Sequence, residues 1–255
     1  MLFKPWLEGR HPRHELHDDS SSDEDQPIVS DLEDEAEDIE QRWKHSIGKF
    51  LKPTVTISFA SKPEIIEKLV VVSPALATII LSLGDSTKVG LVEVSNSSRA
   101  AKHEIFFLEP YKFYWLKLPH SPEVDCYSVA KELLDTLQPK LVVQLVPSFP
   151  DSDGFVFTLA TENAPDISKK YPGLKPPHFI TNIQASILSY AELKNYKALA
   201  LIVRADGVPD HEFVEEDVVE DTVKALELVL GDGSRWKIDH KRLRRTHFRS
   251  TGMYV

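Results

Sequence analysis

An α/β fold, a mixed β-sheet flanked by helices on both faces in a single domain, is what this 255-residue sequence predicts. Three observations point there. Short apolar runs such as "KLVVQLV" and "YKALALIV" are too continuous for strands wetted on one side, and read as interior strands covered on both. Between them lie segments whose apolar residues recur at the helical period. Each such helix has one apolar stripe to bury, and the sheet's faces are where it can be buried.

Residues 1–42 are expected to form an N-terminal segment outside that domain. From Glu15 to Glu40 there are thirteen Asp and Glu and no Lys or Arg, −13 within a chain total of −10. Charges this dense repel, and little apolar area is present to offset ordering entropy, so the arm is predicted to be disordered. Ser20, Ser21 and Ser22 each have an acid three residues on (Asp23, Glu24, Asp25), the pattern that acid-directed kinases favour. Phosphate there would add negative charge; an unmodified solvated loop is the plain alternative. The rest of the chain carries +3, and Arg235 to Arg249 alone carries +6, so an acidic arm, a near-neutral body and a basic end follow one another.

Ordered structure is expected over residues 43–249, from Trp43 onward. "TVTISFA" alternates apolar and polar residues and reads as a half-buried strand. "LVVVSPALATIILSL", Leu69 to Leu83, is broken by Ser73 and Pro74. It is too short to span a membrane and reads as two buried elements around a turn. "KVGLVEVS" and the aromatic-rich "EIFFLEPYKFYWLKL" add β-type segments. A helix follows, with Ser121 as N-cap and Pro122 at its first position. Cys126, Val129, Ala130, Leu133, Leu134 and Leu137 lie on one face of it, and Pro139 stops it. "KLVVQLV" and "GFVFTLAT" are the next strands. "PPHFITNIQASILSYAEL" is a predicted helix with Phe179, Ile183, Ile187 and Tyr190 along one stripe. "YKALALIV" is a strand and "RADGVPD" a loop. "HEFVEEDVVEDTVKALELVLG" is a helix with Val219, Val223, Leu226 and Leu230 aligned and Gly231 as its stop. "SRWKIDHKRLRRTHF" reads as a last, basic helix, and residues 250–255 as a flexible tail.

Catalytic motifs are thin. "IGKF" lacks the leading glycine and the hydroxyl of a phosphate loop, and G-x-G-x-x-G, G-x-S-x-G and H-E-x-x-H do not occur. "GDGS" follows a helix and reads as a cap and turn. "DSDG" lacks the downstream ligands of a calcium loop. His11, His14 and His17 could clasp a metal but sit beside the acidic arm with no supporting shell. Cys126 lies on an apolar helix face, where a cysteine behaves as a small hydrophobe. As the single cysteine it cannot form an internal disulfide, which fits a reducing compartment, cytoplasm or nucleus. No catalytic residue, metal or cofactor is expected. No membrane or nucleic-acid partner is expected either: the basic end has interleaved aromatics but no groove-reading motif around it.

The chain closes on "STGMYV". A terminal carboxylate can pair with a partner's lysine and be held by backbone N–H groups. A penultimate tyrosine brings apolar area with one polar tip. Together with "MLFKPW" at the start and "PPHFITNIQASIL" at Pro176 to Leu188, this ending resembles the proteasome assembly chaperone 1 family, fungal branch. The resemblance implies a non-catalytic protein that pairs with proteasome assembly chaperone 2 and sits on the outer face of the nascent α ring of the 20S core particle. There it would promote ring assembly, prevent off-pathway dimerisation of rings and block premature docking of regulators. It further implies that Val255 offers its carboxylate to a lysine in a pocket between α subunits. Tyr254 would pack and hydrogen-bond in that pocket, and Met253 would fill an apolar slot. Arg242, Arg244 and Arg245 are candidates, from charge alone, for steering onto acidic α-subunit surface. A gate-opening activator would use the same tail, and an α/β enzyme with an unrecognised site is the third reading.

Overall fold

The computed structural model describes residues 53–61, 63, 65–95, 100–119, 126–148, 154–176, 178–207, 212–231 and 235–244. The chain divides into two units, Met1–Phe50 and Leu51–Val255. All described residues belong to the second.

Among the described residues, eight strands form one mixed sheet. In chain order they are β1 (Thr54–Phe59), β2 (Lys68–Val72), β3 (Thr87–Ser95), β4 (Ala100–Leu108), β5 (Phe113–Lys117), β6 (Leu141–Ser148), β7 (Val156–Ala160) and β8 (Lys197–Arg204). Across the sheet the order is β1-β3-β4-β5-β2-β6-β8-β7. β2 runs parallel to β5 and β6, and β6 parallel to β8. The remaining pairs, on either side of this parallel centre, are antiparallel. Among the described residues, four α-helices cover it: α1 (Ala77–Leu83), α2 (Cys126–Leu137), α3 (Asn182–Leu193) and α4 (Glu216–Leu230).

Side-chain alternation sends the central strands into two separate cores. Val70 and Val72 of β2, Val143 and Leu145 of β6, and Leu199, Leu201 and Val203 of β8 pack under α1 and α4. Their neighbours Leu69, Val71, Val142, Val146, Ala198, Ala200 and Ile202 pack under α2 and α3. Both faces of β2, β6 and β8 are therefore apolar, which is why these strands read as unbroken runs. β1 is wetted on one face and keeps the alternating pattern.

Three sequence expectations are corrected. The helix expected from Pro176 begins only at Asn182, and Phe179 is 76% exposed instead of lying on its buried stripe. The stretch before it is occupied with β7: Thr158 N–H donates to the Pro172 carbonyl at 2.9 Å, and Leu174 N–H to the Thr158 carbonyl at 2.8 Å. α4 begins at Glu216 because Phe213 is held in a two-hydrogen-bond bridge with Asp206. Gly231 ends α4 as expected, with extended backbone (φ −68°). Glycine is needed there because a Cβ would collide with the Glu227 carbonyl. The basic end is the third correction: among its described residues, 235–239 are not helical and 240–244 form a helical turn.

α2 and α3 are tied by Tyr190, which is buried and donates its hydroxyl to both carboxylate oxygens of Asp135 at 2.8 and 2.9 Å. Burial and the Asp135 carboxylate push its pKa up to about 12. A phenol whose folded-state pKa exceeds its unfolded value contributes stability below the unfolded pKa and loses it as pH rises through the folded one. Wild type should thus lose stability between roughly pH 10 and 12. Tyr190→Phe should be less stable at pH 8 but lose less over that interval, read by urea unfolding at each pH. An unchanged alkaline slope would remove Tyr190 as its source.

Candidate functional site: the root of the C-terminal tail

Residues 235–244 form a strap over the face that carries α1 and α4. Trp236 is the anchor. It is 6% exposed and packs into the core, its ring 4.4 Å from that of Tyr111 and 5.7 Å from that of Phe113. Its backbone N–H donates to the Glu227 carboxylate at 3.1 Å. Lys237 N–H donates to the Tyr111 hydroxyl at 3.2 Å, and Asp239 N–H to the Ser82 carbonyl at 2.8 Å. The strap is thereby stitched to the end of α1, to the turn before β5 and to α4.

Asp239 then caps the last helical turn, its carboxylate accepting from Lys241 N–H at 3.0 Å and Arg242 N–H at 3.1 Å. Leu243, 4% exposed, sets the turn's inner side into the core. Its outer side is charged and paired within the chain. Arg242 meets Asp85 at 2.9 Å and Asp239 at 3.4 Å, and Arg244 meets Glu216 at 3.9 Å. His240 Nδ1 also lies 2.8 Å from Glu216. Such solvent-exposed pairs contribute little energy each, but they offset much of the positive field expected from Arg242 and Arg244.

Arg245 and the tail residues Met253, Tyr254 and Val255 lie outside the described residues, as do Ser20, Ser21, Ser22, His11, His14, His17, Ser121 and Pro122. Cys126 is partly buried against the α2–α3 core. Sequence reasoning missed Trp236 and Leu243 as anchors. The signal was present in the alternation Arg235, Trp236, Lys237, Ile238, whose two apolar members pack on the same core, as an extended strap allows and a helix does not.

A concavity lies past the carboxyl ends of β2 and β6, where α/β enzymes commonly hold ligands. It is a cleft of about 150 Å³ bordered by Ser73, Ser148, Thr181, Asn182, Gln184 and Glu212. Gln184 donates to the Ser73 hydroxyl at 3.1 Å, and that hydroxyl donates to the Leu145 carbonyl at 3.4 Å. The fully buried Gln144 amide donates to the Gln184 carbonyl at 3.2 Å. These bonds knit β2, β6 and α3 together. Among the described residues, no group of three or more His, Cys, Asp or Glu could hold a metal, and no helix is long and apolar enough to cross a membrane.

Trp236→Ala should destabilise the domain by about 3 kcal/mol, as loss of a buried indole does. It should also raise hydrogen exchange over 235–244 before the sheet is affected. Exchange confined to the level of wild type would show that Trp236 is not the anchor.

Comparison with known proteins agrees with this architecture. Among solved structures, PbaA of Pyrococcus furiosus, described as an archaeal homolog of proteasome-assembly chaperone, superposes with a TM-score of 0.56. Its identity is 15%, over 77% of this chain and 93% of that one. PbaB of the same organism, described as an archaeal proteasome activator, gives 0.54 at 13% identity over 77% and 95%. A Thermoplasma acidophilum protein of unknown function gives 0.54 at 14% over 73% and 85%. At these identities the likeness is one of fold. No curated protein matches the chain in sequence. The model of the POC1 chaperone family, in contrast, matches residues 1–109 and 122–255, nearly the whole length, so the chain belongs to the POC1 chaperone family.

Proposed function

We propose that this protein is a non-catalytic chaperone of 20S proteasome core-particle assembly, working as a heterodimer with proteasome assembly chaperone 2 on the outer face of the α ring. Family membership carries the reading, since the match runs through residue 255 and so includes the hydrophobic-Tyr-X ending. The fungal branch of the assembly chaperone 1 family is the finer placement, and cytoplasm, with the nucleus as a second location, is where the pairing would occur. Met253 fills an apolar slot between adjacent α subunits, Tyr254 packs and hydrogen-bonds there, and the Val255 carboxylate pairs with a pocket lysine.

The strap supports this reading by fixing where the tail starts. Residues 245–255 can reach at most roughly 40 Å from Arg244. A tail rooted on a rigid face samples a smaller volume than one rooted on a frayed end, which raises its effective concentration at a pocket. Three residues bury little and bind weakly alone, so a second tail from the partner and contacts from the body must add to them. Arg242, Arg244 and Arg245 are proposed to contribute to the approach, with the first two already partly neutralised in the chain.

Deleting Met253, Tyr254 and Val255 should abolish capture of core particle by the purified heterodimer while leaving fold and pairing intact; undiminished capture would place binding in the body. Neutralising Arg242, Arg244 and Arg245 together should slow association and flatten its salt dependence. No change in either would remove them from the interface.

An activator is the second reading, favoured by one observation: the similar fold of PbaB is that of a protein described as an archaeal proteasome activator. Peptidase activity of mature core particle separates the two. A chaperone leaves it unchanged or lowers it, and a gate opener raises it severalfold.

A further inference from the structure

The strap helps to close the core but pairs with none of the eight strands. Two buried side chains, Trp236 and Leu243, seat it. Two of its backbone bonds, from Trp236 N–H to the Glu227 carboxylate and from Lys237 N–H to the Tyr111 hydroxyl, end on side chains. Those can be given up without disturbing a strand ladder. Its ion pairs are open to water: Asp85, which meets Arg242, is 93% exposed. Such pairs are screened by salt and contribute little each.

What lies beneath the strap is capped without it. A helix end left with orphan carbonyls frays when a neighbouring segment departs, yet α4 draws on groups outside residues 235–244. Lys68 Nζ, from β2, donates to the Leu230 carbonyl, and Gly231 N–H donates to the Glu227 carbonyl at 2.8 Å. Leu230 itself is buried in the core. Lifting the strap therefore uncovers the rings of Tyr111 and Phe113 but breaks no strand pair and removes neither of these caps. A terminal segment held in this way is a unit able to open on its own, at a lower cost than global unfolding.

We propose that the strap is a detachable tether. In a minor open state residues 235–244 leave the face of α1 and α4 as one unit, with the sheet and α4 intact. The C-terminal tail is then tethered at Gly231 instead of Arg244. Residues 232–255 reach at most roughly 80 Å, about twice the span of residues 245–255 from the seated strap. Opening gives range in place of concentration: effective concentration falls with roughly the −3/2 power of tether length, about threefold here. The opening stands on the contacts above, and its consequence for docking rests on the proteasome reading.

Hydrogen exchange of the full chain, followed amide by amide over a range of urea, tests the opening. Trp236, Lys237, Asp239 and Leu243 all have bonded N–H groups in the closed state. They should share one protection level, at least roughly tenfold below that of the β6 and β8 amides. Their exchange should depend weakly on urea, because little surface is exposed, and that of β6 steeply. Tyr111→Phe keeps the ring and removes the acceptor for Lys237. It should speed all four amides severalfold, Leu243 included, and leave β6 unchanged. Strap amides protected as fully as β6 overturn the proposal, a result that needs no variant to fold. So does a Tyr111→Phe effect confined to Lys237. Capture of core particle by the heterodimer reads the consequence. Trp236→Ala should weaken it about threefold, where deletion of Met253, Tyr254 and Val255 abolishes it. Undiminished capture by Trp236→Ala alone overturns the link between strap and tail. Undiminished capture by the deletion as well overturns the docking reading, and the exchange result still decides the opening.

Discussion

Burial of β2, β6 and β8 on both faces is the constraint from which the rest of the molecule follows. Their side chains divide between two cores, so neither layer of helices is optional: removing either would expose a full row of Val, Leu and Ile. At roughly 25 cal/mol per Å² of apolar surface, each row is a large stabilising term. It also sets a cost for polar groups placed among those rows. Gln144 occupies the α3 side of β6, where one of its amide hydrogens reaches the Gln184 carbonyl while its Oε1 is buried with no hydrogen-bond partner among the described residues. An unpaired buried acceptor costs on the order of 1–3 kcal/mol, which the flanking apolar contacts offset.

The two helical layers solve the burial problem differently. α2 and α3 pack against each other and are tied by Tyr190 to Asp135. The face with α1 and α4 is less complete, because α1 is short, and the strap finishes it by inserting Trp236 and Leu243. A segment required by the core cannot wander, so the last described residues leave the domain from a defined place. The contacts that close the core therefore also fix the position of residues 235–244. Its arginines are drawn partly inward by Asp85, Asp239 and Glu216, which makes the strap less of a charged probe than its composition implies.

Family membership and this geometry meet at the C-terminus. The match to the POC1 chaperone family extends through the last residue, and the last described residues are held on the body by Trp236 and Leu243. The cleft at the carboxyl ends of β2 and β6 illustrates why fold does not settle function. It sits where many α/β proteins bind ligands, yet its Ser73 and Gln184 side chains are engaged in joining β2, β6 and α3.

The amino-acid sequence by itself determined the fold class, most of the strands and the helix from Cys126 to Leu137, because period and apolar continuity are local consequences of which faces are dry. It also determined the chemistry of the ending, legible in Met253, Tyr254 and Val255 with no fold at all. Tertiary structure alone decided the strand order, the late start of α3 that leaves Phe179 exposed, and the strap. Each depends on a partner outside its own segment: β7 for the stretch before α3, Tyr111 and Ser82 for residues 237 and 239. A helical period can be counted within one segment, whereas a basic stretch held extended against an aromatic cluster more than a hundred residues away cannot.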